Sequence, residues 1–254
     1  MLLAESSVDL DTPNGPMRTY LYRPTAPKGT SAPKAPRRYP GIIVYSEIYQ
    51  RTGPIARLAA FLAGHGHVVA VPEIFHELHP AGTVLAYDAA GTARGNADKI
   101  ARPVSAYDAD TAAVITYLQD DEPSCDGAVG AFGVCIGGHL AFRAGLDERV
   151  AASACFYATD LHQGSLGQGG DDSLARVGDI QGELLMVFGR QDPHVPEEGR
   201  ARIRAALDRA NVAYEWHEVN AQHAFLRDEG PRYDPQLARW GMDATLALFA
   251  RSFG

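Results

Sequence analysis

Cysteine is scarce in this sequence: Cys125, Cys135 and Cys155 are the only three, and none belongs to a C-x-x-C pair. An odd, scattered set excludes a disulfide framework and a Cys-rich zinc centre, and it points to free thiols in a reducing compartment, the cytoplasm. Positive charge is short as well. With 23 Lys and Arg against 31 Asp and Glu, the net charge is −8 at pH 7, so the broad basic field that a phosphate backbone demands is missing and nucleic acid is not an expected partner. No uninterrupted apolar run approaches the 18 or more residues of a membrane span, and the opening MLLAESSVDLD has no basic segment leading into an apolar one. The phosphate-cradling patterns G-x-G-x-x-G and G-x-x-x-x-G-K-S/T and the zinc motif H-E-x-x-H do not occur either. No cofactor and no metal are expected. His76 and His79 near Glu73 and Glu77 form the one loose cluster of metal-binding residue types, without the spacing of a ligand set.

What is present is core-forming material: 46% of the 254 residues are hydrophobic, enough for one domain spanning 1–254. Ser6–Asp11 and Met17–Tyr22 alternate in polarity around Pro13-Asn14-Gly15-Pro16 and read as a β-hairpin. Residues 24–40 hold five prolines and four basic side chains without an apolar face, which makes them a solvated surface loop. From Gly41 onward, short apolar runs at 41–45, 67–72, 128–134, 150–157, 183–189 and 214–219 alternate with helical patterns at 55–63, 106–118, 136–144, 197–210 and 235–253. Strands apolar on both faces, separated by helices, predict an α/β fold: a doubly wound, mostly parallel sheet with helices on both faces. The interval 77–103 is too long for an ordinary connection, and such excursions commonly shape the mouth of a site.

In a sheet of this kind the productive crevice lies beyond the carboxyl ends of the strands. There, Gly133-Val134-Cys135-Ile136-Gly137 opens a helix as a G-x-C-x-G form of the nucleophile elbow. A thiol at a helix N-terminus is favoured as thiolate, and the Ile136 N–H faces the place where an oxyanion would form. A Gly-lined packing turn would show the same pattern. The partners decide between the two: Asp192 follows the run 183–189 and His223 follows the run 214–219, in the chain order nucleophile, acid, histidine of an α/β-hydrolase triad. After 41–45 come Glu47 and Ile48. The loop there supplies the second oxyanion N–H, from Ile48, and a buried Glu47 would need a thiol, a cation or a substrate group as partner.

These residues carry a resemblance. Ser46-Glu47-Ile48-Tyr49, Val71-Pro72-Glu73-Ile74-Phe75, Ala106-Tyr107-Asp108, Gly133 to Gly138, Gly189-Arg190-Gln191-Asp192 and His223-Ala224-Phe225 with Arg227 resemble the dienelactone hydrolases, or carboxymethylenebutenolidases, from Gly41 to the C-terminus. The resemblance implies the α/β-hydrolase fold and a Cys135, His223, Asp192 hydrolase of a small enol lactone or activated ester from aromatic degradation, with Glu47 helping to deprotonate Cys135. It further implies that Arg227 engages a substrate carboxylate or pairs with Glu47, and that Tyr157 stands near the pocket. A second carboxylate-binding arginine belongs to the pattern, and Arg94 and Arg102 compete for it. The expected partner is the small-molecule ester or lactone alone, with the protein a monomer or small homo-oligomer. The other readings are a broad-specificity carboxylesterase of the same fold and a non-catalytic binding protein. A glutamine amidotransferase, which also uses a Cys elbow, is disfavoured because Phe225 stands where its acid would follow the histidine.

Overall fold

A computed structural model describes residues 2–25 and 37–254. Most of the Pro-rich stretch, residues 26–36, lies outside the described residues. The opening hairpin is longer than its alternating core predicts: β1 (Leu2–Thr12) pairs with β2 (Gly15–Thr25) from Leu2↔Thr25 to Thr12↔Gly15. Gly15 carries the positive φ, +107°, that the tight turn requires.

The remaining elements are β3 (Tyr39–Tyr45), α1 (Gly53–Gly64), β4 (Val68–Pro72), α2 (Ala89–Ala101), α3 (Val104–Thr116), β5 (Cys125–Val134), α4 (Ile136–Ala144), β6 (Val150–Phe156), β7 (Glu183–Gly189), α5 (Glu197–Ala210), β8 (Tyr214–Val219) and α6 (Pro235–Phe253). They build one eight-stranded sheet in the order β1-β2-β4-β3-β5-β6-β7-β8. Only the pairings of β2 with β1 and β4 are antiparallel; from β4 to β8 every neighbour is parallel.

The period of two along each strand divides the core between the two faces. Ile42 and Val44 of β3 pack in one cluster with Ile55 and Leu62 of α1 and Leu248 and Phe249 of α6. Ile43 and Tyr45 pack in the other with Val114 and Ile115 of α3 and Leu140 of α4. Burying both faces is what makes the strands read as unbroken apolar runs. The chain moves from β3 to β4 on one side and returns to β5 on the other. This reversal of winding opens the crevice at the carboxyl ends of β3 and β5.

The excursion 77–103 contains a helix that periodicity does not reveal. The carboxylate of Asp88 caps α2 by accepting from the Gly91 N–H at 2.7 Å, but α2 has no apolar stripe. It buries Gly91, Gly95 and Asp98 instead. A Cβ on Gly95 would come within 2.5 Å of the Ile48 carbonyl oxygen, so glycine permits α2 to lie directly on the loop after β3.

Candidate active site

At the end of β5 the chain turns so sharply into α4 that Cys135 sits at φ +61°, ψ −125°, a conformation that costs a non-glycine residue of order 1–3 kcal/mol. The turn needs bare backbone around it. A Cβ on Gly133 would overlap the Gly137 carbonyl, and one on Gly138 would come within 2.5 Å of the Phe156 carbonyl oxygen. Cys135 caps α4 and is half-buried, whereas Cys125 and Cys155 are buried. Ile136 is the first residue of α4, and its amide has no acceptor one turn earlier in the helix.

The loops after β7 and β8 bring Asp192 and His223 together. His223 Nδ1 lies 2.7 Å from Asp192 Oδ2, and the other carboxylate oxygen accepts the His194 N–H at 2.8 Å. Both residues are buried, with the Asp192 side chain fully enclosed. This arrangement makes Nδ1–H the donor to Asp192 and turns Nε2 toward Cys135. Burial works against an imidazolium here, but Cys135 and Asp192 outweigh it and hold His223 up at about 10.

Glu47 is buried as well. Its Oε2 stands 3.6 Å from Arg227 Nη1 and accepts the Tyr87 O–H at 3.3 Å. Burial raises its pKa, opposed first by Arg227 and then by His223. Tyr87 also exchanges a 2.7 Å hydrogen bond with Thr52 and supports the Arg227 guanidinium, whose carbon lies 4.5 Å from its ring centre.

Cys135, His223, Glu47, Ile48 and Arg227 all border one cavity of about 390 Å³. Tyr157 does not. Its ring is buried behind the site, 5.0 Å from that of His223 and 5.2 Å from that of Phe225, where it backs the histidine. The two arginines weighed for a second cation are also elsewhere. Arg94 is half in solvent and paired with Asp98. Arg102 is buried among Glu77, Asp110 and the Ile74 carbonyl, over the ring of Tyr107. Its guanidinium takes up the Glu77 and Asp110 carboxylates next to His76, while His79 is paired with Asp98. The loose histidine cluster of the sequence is thus divided between two ion-pair networks.

In place of those arginines, Lys99 of α2 and Arg232, nine residues beyond His223, border the cavity, along with Thr92, Asn96, Asp160, Gln163 and His194. Thr92, Asn96 and Lys99 have helical spacing, a signal legible only after α2 is recognised. His194 stacks edge-on against His223 with ring centres 4.6 Å apart.

The sheet order, the sharp entry into α4 and the loops gathered beyond β3, β5, β7 and β8 define the class, an α/β-hydrolase fold. The model of the Dienelactone hydrolase family matches residues 21–253, and the chain belongs to that family. A Saccharomyces cerevisiae protein named "Putative carboxymethylenebutenolidase" is 42% identical over 236 residues, 90% of this chain and 84% of its own. The "Carboxymethylenebutenolidase" of Pseudomonas sp. (strain P51) is 27% identical over 216 residues, 84% of this chain and 85% of its own. A Klebsiella pneumoniae structure titled "Putative Dienelactone Hydrolase" superposes with a TM-score of 0.82 at 21% identity, covering 98% of this chain and 99% of that one. The protein is a hydrolase of ester bonds. No helix among the described residues is long and apolar enough to cross a membrane.

Proposed function

We propose that the chain, working as one catalytic unit, hydrolyses a small enol lactone or activated ester through a Cys135 acyl-enzyme. The observation that carries this reading is the approach of the His223–Asp192 pair to a thiol held at positive φ on the first turn of α4. The thiolate attacks the carbonyl carbon, and the C–O bond to the leaving group breaks as the tetrahedral adduct collapses. The Ile136 and Ile48 N–H groups are the donors for the oxyanion; Ile48 N–H has no acceptor among the described residues. His223 gives its proton to the departing oxygen and, now neutral beside the acylated Cys135, takes a proton from water, which attacks the thioester and frees Cys135. Glu47, raised by burial, helps His223 take the thiol proton once a substrate carboxylate draws Arg227 away. Because a thiolate departs readily from the adduct, substrates with a still better leaving group, such as an enolate, gain most. The three free thiols suit a reducing compartment such as the cytoplasm.

Rapid quench of the enzyme with an aryl ester, followed by intact mass measurement, should show one acyl group, located on the peptide bearing Cys135. Turnover that survives Cys135→Ala would sink the reading.

A further inference from the structure

The cavity carries a further pair of charges besides Glu47 and Arg227. Lys99 Nζ of α2 lies 3.0 and 2.9 Å from the two carboxylate oxygens of Asp160, in the loop after β6. Only 18% and 14% of these two side chains is exposed, so the pair is largely removed from water. Asp160 is held at φ +66°, and its backbone carbonyl receives the N–H groups of Gln163 and Gly164, which fixes the backbone of that turn. Asn96 stands one turn before Lys99 and Gln163 follows Asp160; both border the same cavity. The Asn96 side chain has no hydrogen-bond partner among the described residues.

A hydrocarbon group seated against this wall would strip water from the ammonium and the carboxylate, and from the exposed Asn96 and Gln163 amides, and return no hydrogen bond. Hydroxyl groups reverse the balance. An ammonium with a spare N–H beside a carboxylate with spare lone pairs offers a donor and an acceptor next to each other, and a hydroxyl satisfies both. Sites built this way discriminate against the analogue lacking the hydroxyl through the polar groups already removed from water, here Lys99 and Asp160, which are then left unmatched.

We propose that the Lys99–Asp160 pair, with Asn96 and Gln163, forms a subsite for hydroxyl groups, and that the preferred substrates are lactones or esters hydroxylated away from the scissile bond. This deepens the hydrolase reading above and rests on it.

The test compares two lactones of one skeleton, 2-deoxy-D-ribono-1,4-lactone and γ-valerolactone, each rate divided by its uncatalysed hydrolysis rate. The wild-type enzyme should favour the hydroxylated lactone at least 10-fold in kcat/KM. Lys99→Met should lower that value 10-fold or more while leaving γ-valerolactone within 3-fold. Asn96→Leu, a change at an exposed position of α2, should reduce the preference 3-fold or more and serves where loss of the ion pair prevents folding. Equal specificity in the wild type, or equal losses on both lactones in the variants, overturns the subsite. Aryl acetate turnover and Cys135 alkylation are followed alongside: if both are intact while the hydroxyl preference is absent, the subsite falls alone, and if both are absent the thiol hydrolase reading falls with it.

Discussion

Arg227 faces Glu47 across 3.6 Å while its guanidinium lies over Tyr87, whose O–H reaches the same Glu47 oxygen at 3.3 Å. The three side chains form a closed unit in which a buried carboxylate is held by one cation and one phenol. Arg227 Nε is buried against the Gly230 turn with no partner among the described residues. Arg227→Ala should weaken kcat/KM for carboxylate-bearing lactones by about 1.5–3 kcal/mol, the range for hydrogen bonds to charged groups, and leave neutral aryl esters nearly unchanged. Arg227→Lys should rescue only part of the loss, because planar two-point geometry is gone. Steady-state kinetics on matched charged and neutral esters decides; equal losses would make Arg227 structural.

Thiol reactivity should be confined to one position. Burial pushes the Cys155 thiol far above its ordinary value and raises Cys125 as well, whereas Cys135 is half-buried at a helix N-terminus beside His223. Stoichiometric iodoacetamide should therefore label Cys135 first and abolish hydrolysis. Peptide mapping that finds Cys125 or Cys155 labelled first, with activity intact, removes Cys135 from the mechanism.

His223 gives stability a pH signature. Its ordinary value of about 6.5 rises to about 10 in the folded protein, so the folded state holds a proton that the unfolded chain releases. The stabilisation is complete below about 6.5 and is lost as pH climbs through about 10. Thermal unfolding across pH 6–10.5 should show Tm falling over that window, with each kcal/mol worth about 2–4 °C in a chain of this size. In His223→Gln the fall should be distinctly shallower. Identical slopes would show that other groups govern the alkaline loss.

Cys135, Asp192, His223 and Glu47 are legible in the sequence because each stands immediately after an apolar strand, and strand ends in a parallel sheet converge on one crevice. The helix α2 is not legible. Its residues AAGTARGNADKIA pack through glycine and aspartate rather than an apolar stripe, so the period that betrays a helix is absent. With α2 hidden, Lys99 could not be assigned to the cavity. Arg102 looks like a ligand-binding arginine in sequence but is consumed by Glu77 and Asp110, and no local pattern announces which cations already have partners. Tyr157, which the resemblance implies to stand near the pocket, does not border the cavity but lies buried against His223, with ring centres 5.0 Å apart.

The contact between α2 and the Ile48 loop yields the last expectation. A methyl group on Gly95 would approach the Ile48 carbonyl oxygen to 2.5 Å and its Cβ to 2.8 Å, too close for either neighbour to remain where it is. Since Ile48 borders the cavity and its N–H is a proposed oxyanion donor, the displacement should reach the chemistry before it reaches the fold. Overpacking of this kind costs about 1–3 kcal/mol of stability, while loss of one oxyanion donor lowers kcat by roughly 10²–10³. Gly95→Ala should accordingly stay folded and lose at least about 10-fold in kcat, with KM less affected. Gly64→Ala, at the end of α1 where a Cβ meets nothing within 4 Å, is the control and should leave kcat unchanged. If Gly95→Ala loses stability but keeps full kcat, the α2 contact supports the fold alone, and Ile48 is not held by it for catalysis.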